Sequence, residues 1–469
     1  MDSDDCLNVF EQRPRLVNLC ISLTFIFTTP DNSDDEAILD VLRKGLDRLS
    51  DNFPWIAGKI TKSDGDTALW RIVRMDGCPQ LIVKDLRHDT SIRTMEEMRS
   101  IHFAPDAVPQ NIFAPRKTVL VRIPVPLPVL VVQASFIRGG LVVCLSASHA
   151  ATDFMGLYQI VLAFHWACKG ETLRQEDISI SNMPRRNMIP LLEASEDISK
   201  EVDHQRQPRG PSTTKVKSHF LSQCSWGTFK ISKVAVKILK SEAIASLQSG
   251  YVSSDDIVSG FVWQAVTRAR LHRLDPKTPT ILARHINARR YLGIAESYPG
   301  LCINTAFSKF PMGKLVSMPL WSIAQALRSR IDPVTSNFAH YTRSVASVLS
   351  NSPDKDVLRT FAKFDHSSDL SLTSGASVSE SLPLDFNLGL GNPASLRVPL
   401  PSPLGLQSVV GLAPKTAQGD WIVYMCLRND DLWRLRKDST FTNHASWLSE
   451  NWTSTLLRSL QSTVAAQND

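Results

Sequence analysis

The segment from Leu127 to Ser148 most constrains what this chain can fold into. It is long and apolar enough to suggest a membrane helix, but Gln133, Arg138, Gly139 and Gly140 interrupt it. A membrane-spanning helix needs about 20 predominantly apolar residues with few or no charges. Two strands joined at the glycine pair account for the pattern better. The second, Leu141-Val-Val-Cys-Leu-Ser-Ala-Ser148, reads as a buried strand. It runs straight into His149-Ala-Ala-Thr-Asp153, and an amphipathic helix follows. Asp153 is placed to cap that helix and Gly170 to end it near Lys169.

At 469 residues the chain exceeds one ordinary core and predicts two domains or more. Other segments alternate between the two periodicities. Residues 36 to 50 space their apolar side chains as a helix. Residues 68–73 and 80–84 are strand-like. Residues 170–217 are polar, with proline at 184, 190, 208 and 211, and read as a crossover. Ser253-Ser-Asp-Asp256 then caps an apolar helix from Ile257 to Arg268. Strands are expected near 281–287, 301–307 and 421–427, and a terminal helix from about Ala445 to Leu460. The serine-rich stretch 366–383 reads as a flexible loop. Mixed strands and helices in two halves predict an α/β (α+β) fold.

The net charge of +6 is mild, and Lys and Arg are spread, apart from knots at Arg185-Arg186 and between Arg284 and Arg290. That argues against a nucleic-acid partner. The eight cysteines form no C-x-x-C pair and no zinc spacing, so no metal is expected. They read as free or buried thiols of a reducing compartment. The acidic start, Met-Asp-Ser-Asp-Asp, is unlike a secretory signal. A cytoplasmic monomer without a membrane span is the expectation.

Several motif matches fail. Gly389-Leu-Gly391-Asn-Pro-Ala394 mimics G-x-G-x-x-A, but Pro393, Pro399, Pro401 and Pro403 oppose the helix that motif must open. No phosphate loop, H-E-x-x-H or G-x-S-x-G is present. Cys144 lies five strand residues from His149, on the opposite face, and reads as core packing. His149 and Asp153 carry two readings. One is a satisfied core histidine followed by an N-cap aspartate. The other is a general base at a strand end, partly desolvated by the apolar segment before it. Such a base could take an alcohol's proton as the alcohol attacks a thioester, then return it to the leaving thiolate.

The order of motifs resembles the BAHD-type, coenzyme A-dependent acyltransferases, in particular their fungal trichothecene 3-O-acetyltransferase-like branch. Phe53-Pro-Trp-Ile-Ala-Gly58 is similar to F-x-P-L-A-G. His149-x-x-x-Asp153 with Phe164-His-Trp-Ala167 is similar to H-x-x-x-D and F-x-x-x-W-A. Ser253 through Trp263 resembles the S-T-x-D helix, and Ile286-Asn-Ala-Arg289 resembles V-N-x-R. Tyr298 to Asn304 resembles the Y-F-G-N loop, Thr373-Ser-Gly resembles T-S-W, and Asn387 to Pro393 resembles D-F-G-W-G-K-P.

The resemblance implies two chloramphenicol acetyltransferase-like domains, each a mixed sheet flanked by helices, with a channel between them. Residues 1–180, completed by part of 370–400, would form the first. Residues 181–217 would be the linker and 218–469 the second. It implies that His149 is the base and that Asp153 pairs with Arg289 to hold the loop. It places Ser253, Ser254, Thr373 and Ser374 near the coenzyme A arm. Gly389 and Gly391 would be structural and close to the channel, and Asn304 is a candidate oxyanion donor. Acyl-CoA would be a co-substrate, with no permanently bound cofactor. The acceptor would be a small-molecule alcohol of secondary metabolism. An amine acceptor and a catalytically silent binding protein are the alternatives. Four departures stand out: Phe154 where the family usually has Gly, Gly375 for Trp, Leu390 for Trp, and an aspartate that is either Asn387 or Asp385.

Overall fold

The computed structural model describes residues 6–63, 68–104, 107–119, 126–198, 200–206, 224–401 and 406–451. The long apolar run forms two strands, Leu130–Ile137 and Gly140–Ser148, paired antiparallel. Every residue of both is buried, so the run has no polar face to alternate. Gly139 turns the hairpin at φ 73°, a conformation that glycine adopts without steric cost. Cys20–Thr28 pairs along the full length of the second strand. Gln80–Asp85 and Ser395–Arg397 complete the five-stranded sheet at its two edges.

The Phe154–Lys169 helix leaves this sheet directly. The Asp153 carboxylate accepts the Gly156 N–H at 2.8 Å, and Gly170 closes the last turn at φ 71°. The helix packs on the Asp35–Asn52 helix, where Leu39, Leu42, Leu46 and Leu49 meet Leu157, Ile160, Val161 and Phe164. Burying each leucine-sized side chain contributes about 1.5–3 kcal/mol. This packing fixes the helix, and so the start of the loop before it.

A second sheet has seven strands in the order Ile303–Pro311, Pro279–Asn287, Leu370–Ser374, Val409–Leu412, Trp421–Arg428, Cys224–Ile231 and Ala445–Asn451. The Ser254–Arg270 helix lies on it, flanked by Lys233–Ser246 and Leu320–Ser329. A small sheet joins Trp70–Val73, Lys59–Lys62 and Leu127–Pro128. A third apolar cluster contains Phe10 and Val202 together with Leu301, Phe338 and Tyr341.

Two expectations are corrected. The serine-rich stretch contains an inner strand, Leu370–Ser374, parallel to both neighbours. Its Leu-Ser-Leu-Thr-Ser alternation is strand periodicity hidden under the serine count. Ala445–Asn451 is an edge strand on Cys224–Ile231, not the start of a helix. Trp447 sets its ring edge-on to Phe229 at 4.8 Å, so a tertiary partner decides the conformation. The rest of that expected helix, 452–460, and residues 207–217 of the crossover lie outside the described residues. The described part of the crossover contains a short helix, Gln175–Ser181, and a 3-10 turn, Lys200–His204.

Candidate active site

The strand ending at Ser148 delivers His149 to the end of the first sheet, half-buried. Its backbone N–H donates to Leu19 O at 2.8 Å. Its Nδ1 lies 2.9 Å from Thr152 O. A carbonyl only accepts, so Nδ1 carries the proton and Nε2 keeps its lone pair. Burial pushes the imidazole pKa down, Thr152 O and Asp153 pull it back, and the Arg13 cation pushes it down again. The ring is therefore biased toward the neutral form that can accept a proton.

Asp153 does not touch the ring among the described hydrogen bonds. Arg289 grips its carboxylate with both terminal nitrogens, each at 3.0 Å, and the Cys302 N–H donates to it at 2.8 Å. Arg289 also donates to Tyr298 O at 2.9 Å and Gly300 O at 2.6 Å. Thr152 Oγ1 donates to Pro299 O at 2.6 Å. The 149–153 loop is thus stitched to residues 298–302, just ahead of the second sheet's Ile303–Pro311 strand. Gly156 is required here, because an added Cβ would collide with the Pro299 carbonyl.

His285, which no motif includes, stands opposite Thr305 on the second sheet. Its Nε2 lies 3.0 Å from Ser371 Oγ and its Nδ1 3.3 Å from Thr305 Oγ1. Burial, then the charges of His149 and Arg13, push its pKa down to about 4. Arg13 is the group that sequence reasoning missed in the electrostatics of His149, and His285 in turn feels the charge of His149. The only local signal was the position of His285 directly before Ile286-Asn-Ala-Arg289. Asn304 is turned elsewhere. Its amide accepts from Gln205 at 3.0 Å and donates to Thr342 Oγ1 at 3.1 Å. Adjacent strand residues face opposite sides, so Asn304 points away from the side that Thr305 shares with His285. The oxyanion expectation for Asn304 is withdrawn on that ground.

The residues expected along the coenzyme A arm come together at the start of the Ser254–Arg270 helix. Ser253 caps it, its hydroxyl 2.7 Å from Asp256 Oδ2. Ser374 Oγ donates to Asp255 Oδ2 at 2.5 Å, tying the strand end to the helix start. Arg284 bridges Asp255 and Asp256, and Arg328 also pairs with Asp256. Ser254 is half-buried and Thr373 exposed. Two of the sequence departures meet here: an added Cβ on Gly375 would lie 2.8 Å from the Phe154 ring. Glycine at 375 leaves room for the Phe154 ring beside it.

Gly389 and Gly391 sit at φ 72° and 71°, so backbone conformation accounts for both. Their loop is anchored by Phe386, whose N–H donates to His165 Nδ1 at 3.2 Å. His165 is eleven residues, about 16 Å, along the helix from Phe154. The anchor therefore lies toward the far end of that helix. Asp385 accepts the Asn387 N–H at 3.1 Å, so both candidate positions belong to one turn. A cavity of about 430 Å³ lies along the same helix, lined by Ile160, Trp166, Leu173 and Pro299 but not by His149.

Residues 19–168 match the trichothecene 3-O-acetyltransferase-like N-terminal domain. Over 452 residues the chain is 38% identical to O-acetyltransferase dmxR13 of Cryptosporiopsis sp. (strain 8999), covering 94% of this chain and 97% of that one. The chain belongs to the trichothecene 3-O-acetyltransferase-like family. It is 32% identical to trichothecene 3-O-acetyltransferase TRI101 of Fusarium sporotrichioides, over 94% and 96% of the two chains. The crystal structure of F. graminearum TRI101 complexed with coenzyme A and deoxynivalenol superposes with a TM-score of 0.88 at 31% identity, over 95% and 99%.

This family member is an acyl-CoA-dependent O-acyltransferase with the BAHD fold, and its coenzyme A thioester is a co-substrate. No helix among the described residues is long and apolar enough to cross a membrane. No group of three or more His, Cys, Asp or Glu side chains among the described residues is placed to hold a metal ion.

Proposed function

We propose that His149 is the general base of acyl transfer from acyl-CoA, acetyl-CoA first, to a hydroxyl of a specialised metabolite. The observation that carries this is the lock on its tautomer: Thr152 O holds Nδ1–H and leaves Nε2 free to accept. Nε2 takes the hydroxyl proton as the oxygen attacks the thioester carbonyl. The tetrahedral intermediate collapses, the C–S bond breaks, and the imidazolium returns the proton to the coenzyme A thiolate. Both steps use one group, and no covalent bond to the protein forms.

In this reading Asp153 and Arg289 are positioning residues. Ser253, Ser254, Thr373 and Ser374 border the coenzyme A arm, and Gly389 and Gly391 shape a structural loop. The domain division is 1–180, with part of 370–400, against 218–469, joined through 181–217. Pairing of Ser395–Arg397 with the first sheet supports the inclusion of the later segment. We also place the enzyme in the cytoplasm as a monomer. Eight cysteines, six of them buried, support a reducing compartment.

The test incubates the protein with acetyl-CoA and a panel of alcohols, deoxynivalenol among them, each matched with an amine, and follows thiol release. Turnover with an alcohol that is lost in His149→Ala is expected. Full activity in that variant removes His149 as the base, and preference for amines removes the hydroxyl acceptor.

A further inference from the structure

The loop that carries His149 is held a second time by an ion pair that belongs to no motif. Glu11 comes from the start of the chain and Arg185 from the stretch read as a crossover. Their side chains are 0% and 6% exposed. Glu11 Oε1 accepts from Arg185 Nη1 at 2.8 Å and from the Leu301 N–H at 2.9 Å, and Oε2 accepts the Asn8 N–H at 2.8 Å. The same Arg185 nitrogen donates to Ala151 O at 2.6 Å. The guanidinium lies 4.3 Å over the Trp55 ring, which fixes its plane.

The two ion pairs divide the work. Glu11 holds the Leu301 amide and Asp153 holds the next one, Cys302. Beyond Asp153, Arg289 donates to the carbonyls at 298 and 300 and to the Asn287 side-chain oxygen. Arg185 alone of the two arginines grips a carbonyl of the catalytic loop itself. Ala151 C=O belongs to the peptide plane before Thr152, and Thr152 C=O, which orients the imidazole, belongs to the plane after it. Arg185 holds the first plane and Asp153 follows the second. Only the φ and ψ of Thr152 are soft between them, and its hydroxyl is tied to Pro299 O.

We propose that Arg185, ion-paired to Glu11, is a positioning residue that locks the His149 tautomer by fixing the Ala151–Thr152 backbone. The proposal rests on the reading of His149 as the base. A small displacement of a catalytic group lowers rate far more than binding, so loss of Arg185 reduces kcat about 10- to 100-fold while the KM for acetyl-CoA stays within about twofold.

The decisive experiment uses the full chain with isotope-labelled histidine, the His149→Ala protein supplying the assignment. Nitrogen NMR of wild type shows the Nδ1–H tautomer. Arg185→Ala shows a tautomer mixture, and Arg185→Lys recovers part of the wild-type signal. The double variant Glu11→Gln/Arg185→Met removes both charges, leaves no orphaned buried carboxylate, and also shows the mixture. Its acid limb of kcat/KM, measured with whichever alcohol of the panel turns over, is displaced. The limb moves down where the ring loses Thr152 O and up where the opened loop admits water. A folded double variant with the wild-type tautomer, kcat and acid limb overturns the proposal. So does a loss that appears only as a smaller active fraction. The two readings fail separately: an active His149→Ala removes both, whereas an inactive one beside normal Arg185 variants removes only the clamp.

Discussion

Two loops link the five-stranded and seven-stranded sheets, and they are held by different physics. The 149–153 loop is polar throughout its grip: a buried bidentate ion pair at 3.0 Å, a second ion pair through Ala151 O, and a hydroxyl on Pro299 O. The 385–391 loop brings the chain back from the second sheet to the first and is held mainly by the buried apolar side chains of Phe386 and Leu388, beside the bond from the Phe386 N–H to His165. Phe386 is fully buried among Phe25 at 5.0 Å, Phe164 at 5.5 Å and His165 at 5.7 Å. It takes a left-handed φ of 49°, which a bulky side chain adopts at a cost of about 1–3 kcal/mol. Burial of the ring offsets that strain. Directional contacts fix where a reacting atom sits, while apolar area fixes only that the loop stays docked. Damage to the first loop should therefore lower the rate of each folded molecule, whereas damage to the second should lower stability and leave that rate in place.

The largest effect is expected from His149→Ala, a loss of about 10²–10⁴ in kcat with the melting temperature nearly unchanged, read by thiol release and calorimetry. Next comes Arg289→Ala, which leaves Asp153 buried without its cation. It should cost about 3–5 kcal/mol in denaturant unfolding and lower kcat in the fraction that folds. Phe386→Ala should cost a similar 3–5 kcal/mol. Its kcat per folded molecule should stay within about twofold, and a large fall there would erase the contrast between the loops. Gly389→Ala, at φ 72°, should cost only about 1–2 kcal/mol with no change in rate.

The pH profile sharpens the same contrast. A base works only when neutral, so activity falls as pH drops through its pKa. Burial lowers that pKa for His149, so the acid limb of kcat/KM should lie below the ordinary histidine value of about 6.5. Phe386→Ala should leave that limb in place.

The long apolar run, its interruption at Gly139-Gly140 and the capped helix after Asp153 were legible because each is a local pattern of about ten to twenty residues. The Leu370–Ser374 strand was missed because its apolar positions are sparse. Ala445–Asn451 was misread because short segments take the conformation their neighbours impose. In the site, His149 and Asp153 stood out by spacing, and the role of Arg289 came only from resemblance. His285, Arg13, Glu11 and Arg185 carried no usable signal. They come from three separate stretches, residues 11–13, Arg185 and His285, and of the four only His285 lies within three residues of a recognised motif.

The sequence alone therefore determined the elements that local periodicity and capping specify, and the strand end where His149 stands. Only the tertiary structure decided what surrounds that histidine. Glu11 meets Arg185 across 174 residues and Asp153 meets Arg289 across 136. Charges so far apart in the chain are brought within 3 Å only by the packing of the cores around them, and it is burial that makes their pairing obligatory.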